Sequence, residues 1–239
     1  MTRSPIWKSI STALAAEIAQ GRYHPGDRLP TEAELAARFG VNRHTVRHAL
    51  SALVEQGTLR TRRGAGVFVA ARPTDYALGR RVRFHQNVAA SGRTPSRRVT
   101  LRATRSADPR EAAALHLAEG AAVHVIEGVS LIDDQPVAVF RSVFDALRFP
   151  ALLDHMAEQN SVTAALAACG LTDYTRAETR LTAKAAPATL ALTLQIAEGA
   201  PLLRSVAVNV DAAGIPVEYG TTWFAGDRVT LTIHPDDKG

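Results

Sequence analysis

Among its 239 residues the chain has a single cysteine, Cys169. One thiol excludes an internal disulfide framework and most cysteine-built metal sites, and its alanine-rich helical context reads as small core filler. No run of about 18 uninterrupted apolar residues occurs, and the first residues lack the apolar core of a signal peptide. The chain is therefore expected in the cytoplasm, with no membrane contact. Histidines are scattered: no third ligand at sensible spacing accompanies His24 or His48, so no metal site and no cofactor are expected. The C-terminal half likewise has no His–acid, nucleophile–base or metal cluster of the kind turnover requires, and His85, His116, His124 and His155 read as surface or edge residues.

What is present is 46% apolar residues, enough for the cores of one large or two ordinary domains. Charge is divided unevenly. Residues 1 to 80 hold 12 Arg/Lys against 6 Asp/Glu, a net +6, whereas residues 81 to 239 hold 16 against 17, a net −1. The positive excess belongs to the first third of the chain, as expected of a segment that neutralises phosphates.

That third contains the stretch Pro25 to Val69, which reads as helix, tight turn, helix and basic hairpin. Thr31 and Glu34 have capping-box spacing ahead of Leu35 and Phe39, and Gly40 stands at a left-handed C-cap position. Asn42 can cap a second helix whose Val46, Ala49, Leu50, Leu53 and Val54 follow helical spacing. Arg43, His44, Thr45, Arg47 and His48 are left around its first turns. Beyond Gly57, Thr58 to Arg63 alternates like a strand, Gly64 and Gly66 permit a sharp turn, and Val67 to Val69 returns. This is a helix-turn-helix followed by an arginine-bearing wing. Before it, residues 5 to 20 form a helix, with Ser4 as N-cap, Pro5 at N1, an apolar stripe of Ile6, Ile10, Leu14 and Ile18, and Trp7 as an added anchor.

The pattern Gly21, Tyr23, Pro25 to Pro30, Thr31, Glu32 and Glu34 to Ala36, continued by VNRHTVR and GAGVFV, resembles the N-terminal domain of the GntR family of bacterial transcription regulators. Val41 to Arg47 most resembles the phosphonate-metabolism regulators in the HutC branch of that family. The resemblance implies a DNA-reading set. Arg43, His44, Thr45 and Arg47 read bases or hold the helix on phosphates, Arg62, Arg63 and Gly64 serve the wing, and Arg28, Thr31, Glu32 and Asn42 complete the set.

Domains are expected at 1–70 and 82–239, with 71–81 as a linker rich in Pro, Gly and charge. The fold class is α+β. In the second domain a helix at 84–90 precedes a strand at 97–105, a helix from Pro109 to Leu117, and a hairpin of 122–132 with 135–144 across Asp133-Asp134. A loop and short helix at 147–156, a helix at 162–168 capped by Ser161, a strand at 174–183 and a helix at 187–194 follow. Strands at 201–211, 215–224 and 228–234 end the chain. Two segments repeat one order: Leu117 to Ala121 and Ile196 to Ala200 each close a helix with an A-E-G-A turn before a hairpin whose second strand starts at a proline, Pro136 or Pro216. An internal pseudo-repeat building one mostly antiparallel sheet follows.

That order resembles the effector domain of HutC-type regulators, with its chorismate-lyase-like antiparallel sheet and flanking helices. The resemblance implies a homodimer on double-stranded DNA with a near-palindromic operator, repressing until a small ligand binds. Position by position, Glu218 matches an acidic pocket residue, Phe224 a tyrosine of sugar-phosphate-binding relatives, and the loop of Ser91 and Gly92 a phosphate-contacting loop. Two arginines that flank the anion in such relatives fall at Gly128 and Ser130, and a pocket acid falls at Phe140. The pocket is thus rebuilt, and replacement charge is expected from Arg141, Arg176 or Arg180 for a small anionic effector: a phosphonate, phosphate ester or carboxylate. The reading from another class is a lyase-type enzyme fused to a DNA-binding head.

Overall fold

Leu14, Leu35, Leu53 and Leu59, each at most 2% exposed, knit the first part of the chain together. Each contributes about 1.5–3 kcal/mol by leaving water. They come from helix α1 (Ile6–Ala19), helix α2 (Glu32–Phe39), helix α3 (Arg43–Glu55) and strand β1 (Leu59–Arg62), which pairs antiparallel with β2 (Gly66–Val69). The computed structural model describes residues 5–62, 64–70, 73–81, 84–90, 92–159 and 161–233, in two compact units, Met1–Arg72 and Pro73–Gly239.

Local signals set the helix ends in the first unit. Thr31 and Glu34 form the expected capping box, Gly40 is left-handed at φ 65°, and Asn42 Oδ1 accepts from Thr45 N at 2.8 Å. The start of α1 differs from expectation. Pro5 is extended (φ −58°, ψ 136°) and occupies the N-cap position itself, one residue later than the sequence suggested, and Ser4 lies outside the described residues. Of the stripe, Ile10 and Leu14 are buried while Ile6 is 63% exposed.

The second unit runs β3 (Thr74–Ala77), α4 (Phe84–Ala90), β4 (Pro95–Ser106), α5 (Pro109–Leu115), β5 (Ala122–Ile132), β6 (Gln135–Asp145), α6 (Leu152–Gln159), α7 (Val162–Ala168), β7 (Thr175–Ala185), α8 (Ala188–Leu194), β8 (Pro201–Val210), β9 (Pro216–Ala225) and β10 (Val229–Thr232). Six strands form one antiparallel sheet in the order β4-β5-β6-β9-β8-β7. Within the stretch expected to be linker, Thr74–Ala77 is a strand that pairs parallel with β10.

The sheet order is two copies of a three-stranded unit joined at β6 and β9, as the A-E-G-A repeat implied. Helices α5 and α8 end alike, at left-handed His116 (φ 55°) and Gln195 (φ 54°), which is why α5 stops two residues before the expected Leu117. Arg148 donates to Pro216 O at 3.1 Å and its counterpart 80 residues on, Arg228, donates to Pro136 O, so each copy ties down the proline that opens the other's second strand. Helices α5 and α8 pack on one face of the sheet. The other face is covered at one end by α6 and α7, and at the other by β3 and α4. Cys169 packs half-buried beside α7, and burial pushes its thiol pKa up, in keeping with a packing role. His124, expected at the surface, is buried on β5 with its ring nitrogen 2.8 Å from Thr104 Oγ1.

Candidate DNA-reading surface and effector cavity

Side-chain burial along α3 divides cleanly. Val46, Ala49, Leu50 and Leu53 face the core, and this leaves Arg43, His44 and Arg47 in solvent, with Thr45 half-buried. The guanidinium of Arg47 closes a two-point fork on Glu32 at the start of α2, Nε to Oε1 at 2.9 Å and Nη2 to Oε2 at 2.7 Å. The hydrogen bond from Arg47 holds the Glu32 carboxyl below its usual range and raises the guanidinium in turn. Glu32 thereby fixes the direction of Arg47 across the turn of the helix-turn-helix.

Thr31 and Asn42 spend their side chains on caps: Thr31 Oγ1 donates to Glu34 Oε2 at 2.8 Å, and Asn42 Oδ1 also accepts from Thr45 Oγ1 at 2.9 Å. Arg28 is exposed and bridges to Phe68 of the hairpin through its backbone. Its guanidinium lies so close to Gly66 that a Cβ there would meet Arg28 Nε at 3.0 Å. Arg28 is exposed and could give way, but Gly66 also has φ +112°, and that backbone conformation is what calls for glycine in the wing. Gly64 is exposed at the hairpin turn with φ 73°. Arg63 and the side chain of Arg62 lie outside the described residues. Trp7 stacks on His48 at 4.2 Å, its ring 16° from parallel, and so joins α1 to α3.

In the second unit, a cavity of about 440 Å³ opens on the sheet face between α7 and the β3–α4 cover. Its floor straddles the internal two-fold. Phe140 pairs with Thr222, and Ser142 with Gly220, across the β6–β9 seam, and all four line the cavity. Repeat-related positions supply its cations as well. Arg97 on β4, opposite Ser130, and Arg176 on β7, opposite Asn209, stand 79 residues apart, and both reach the cavity. Arg97 lies over the rings of Phe84 and Phe140, 5.3 and 4.7 Å from their centroids, and burial there pushes its pKa down. Arg176 Nε donates to Asn209 Oδ1 at 2.9 Å. Asn209 Nδ2 donates to Glu218 Oε2 at 2.6 Å, and Ser142 Oγ donates to Glu218 Oε1 at 2.5 Å. Tyr76 walls one side, its hydroxyl pKa pushed up by burial.

Arg176 and Glu218 thus belong to the cavity as expected, and several other expected residues do not. Arg141, between Phe140 and Ser142 on β6, points through the opposite face, where it lies 3.4 Å from both Glu111 and Glu127. Arg180 is exposed and pairs with Glu178 at 2.8 Å. Phe224 shares the cavity-facing row of β9, but it is buried under Tyr76, 5.4 Å between rings, as core. Gly92 closes α4, its N–H donating to Ala89 O at 2.9 Å, and does not line the cavity; Ser91 lies outside the described residues. Arg97, Asn209 and Ser142 were missed. The repeat could have supplied Arg97, because it occupies the position equivalent to Arg176.

Gly128 pairs with Phe140, and a Cβ on Gly128 would sit 2.5 Å from Arg98 O and 2.9 Å from the Phe140 ring. The aromatic ring therefore fills the space above Gly128, which leaves no room there for a side chain.

Residues 7–69 match the model for bacterial regulatory proteins of the gntR family, and residues 90–230 match the UTRA domain. The chain belongs to the GntR family. The probable transcriptional regulator PhnF of Escherichia coli (strain K12) is 32% identical over 95% of this chain and 94% of its own length. The transcriptional repressor NagR of Bacillus subtilis (strain 168) is 30% identical over 97% and 95%. The crystal structure of PhnF from Mycobacterium smegmatis superposes with a TM-score of 0.65 at 25% identity, over 94% of this chain and 98% of that one. This GntR-family protein is a transcription regulator that binds DNA through its helix-turn-helix unit and a small-molecule effector through its UTRA unit.

Proposed function

We propose that the protein is a homodimeric cytoplasmic repressor released from a near-palindromic operator by a small anion, and that it binds this effector without turning it over. The observation that carries the effector class is the pair Arg97 and Arg176, brought to one cavity from equivalent positions of the repeat. Two guanidiniums from opposite ends of a sheet suit the several oxygens of a phosphonate, phosphate ester or carboxylate. The likeness to PhnF favours the phosphonate, and the rebuilt pair Gly128 and Phe140 argues against a phosphosugar. On DNA, Arg43, His44, Thr45 and Arg47 meet the major groove, with Glu32 holding Arg47, while Arg28, Gly64 and the wing arginines Arg62 and Arg63 flank it. Effector binding shifts the population of dimers able to hold both half-sites.

The test is a thermal-shift series of short-chain phosphonates, phosphate esters and carboxylates on the full chain. An anion at about 100 Kd should stabilise the second unit by about 2.7 kcal/mol, and Arg176→Ala should remove the shift. A neutral ligand that stabilises while every anion fails would overturn the proposal.

A further inference from the structure

Glu218 is out of place in a cavity built to take an anion. Among the described residues no basic side chain lies within ion-pair distance of it. Both its oxygens are held by neutral donors, Ser142 Oγ and Asn209 Nδ2. Donation to both oxygens is how an ionised, acceptor-only carboxylate is received. Asn209 is pinned in one orientation, since its carbonyl accepts from Arg176 and its amide nitrogen gives to Glu218. A single carboxamide therefore stands between a guanidinium and a carboxylate, and the two charges are presented side by side rather than quenched against each other.

The repeat sharpens this. Arg97 and Arg176 are equivalent, and so are Ser142 and Thr222, but the counterpart of Glu218 is Ala138, fully buried under the β3–α4 cover. One end of a nearly two-fold floor has thus acquired an acid. A bound anion would set a second negative charge beside the half-buried Glu218, and like charges that close repel at a cost. An ammonium group on the same molecule removes that cost and fixes which way round the ligand lies.

We propose that the effector is a short zwitterion, with an anionic head for Arg97 and Arg176 and a primary ammonium received by Glu218. The inference rests on the anion-binding reading above. It extends that reading from charge sign to a second functional group and its partner.

The experiment compares three probes of like size on the full chain by calorimetric titration: 2-aminoethylphosphonate, 2-hydroxyethylphosphonate and propylphosphonate, with 3-aminopropanoate as the carboxylate counterpart. The expected order is amino, then hydroxyl, then propyl, with the amino compound binding about tenfold or more tighter than the propyl one. Glu218→Gln should collapse that ratio to near unity while propylphosphonate still binds. Because the ratio is taken within one protein, a general loss of stability does not mimic it. If the Gln variant does not fold, the ratio in the unaltered protein decides. Tight binding of 3-aminopropanoate alone supports the zwitterion and assigns its head as carboxylate. Equal binding of all three phosphonates, lost in Arg176→Ala, overturns the zwitterion and leaves the anion reading standing. Preference for the hydroxyl compound, or a ratio that survives Glu218→Gln, also overturns it. Binding of none of the four overturns both.

Discussion

Gly128 and Phe140 show how much a single position can decide. They face each other across β5 and β6, and the ring of Phe140 lies where a side chain on Gly128 would begin. The clash at 2.5 Å with Arg98 O is against backbone, which cannot swing aside. Gly128→Ala should therefore destabilise the second unit by about 3 kcal/mol, read as a drop in its Tm, and Phe140→Ala in the same chain should recover only the part due to the ring. An unchanged Tm for Gly128→Ala would mean that β5 can move away from β4. Face assignment is also settled residue by residue, and here sequence reasoning failed. Arg141 and Phe140 are adjacent on β6, so while Phe140 lines the cavity Arg141, one position on, points through the other face of the sheet. Nothing in a strand buried on both faces marks which parity looks into a cavity.

Helix and hairpin boundaries were readable because their determinants are local. Thr31 with Glu34, Asn42, Ser161 and the Asp133-Asp134 turn (φ 48° and 58°) all act within four residues of where they stand. Strand β3 was not readable, since its partner β10 comes from the far end of the chain and its own composition is that of a linker. The cap of α5 carries a pH dependence. Glu111, with its side chain 3% exposed, accepts from the Asp108 backbone at 2.9 Å and from both Arg105 terminal nitrogens at 2.7 and 2.6 Å. Burial alone would raise its pKa; those hydrogen bonds and the charges of Arg105 and Arg141 outweigh it and hold it below the usual range. A depressed folded pKa adds stability at pH above the unfolded value, about 4.3, and that stability is lost as pH falls through the lower folded value. Glu111→Gln should cost about 2 kcal/mol at pH 7 and flatten the acid limb of a Tm–pH curve. A limb of unchanged steepness would remove Glu111 from that role. The arginine ties between the repeats make a second test at this scale. Arg228, 3% exposed, gives hydrogen bonds to Pro136 O, Leu194 O and Gln195 O, whereas Arg148 is 28% exposed. Arg228→Met should destabilise by about 3–5 kcal/mol, and Arg148→Met by clearly less. Equal losses, measured by urea unfolding, would contradict the difference in burial.

At the scale of the whole chain, the division of charge anticipated the division of labour. A net +6 in residues 1–80 against −1 in the remainder places the positive excess on the unit that carries the helix-turn-helix and none on the effector unit. The helix-turn-helix with its wing was legible because its motif is dense and short-range; the cavity was half legible because its walls come from strands far apart in the chain. Only the internal repeat carries such long-range information, and Arg97, the equivalent of Arg176, was not drawn from it. The central claim is that the exposed start of α3 meets the edges of DNA bases with Arg47 steered by Glu32. Fluorescence-anisotropy titration of an operator recovered by selection from random duplexes, comparing the unaltered chain with Arg47→Ala, tests it most directly. The account predicts about ten- to hundredfold weaker binding, ~1–3 kcal/mol, with Tm and solution mass unchanged; equal affinity for that operator would contradict it.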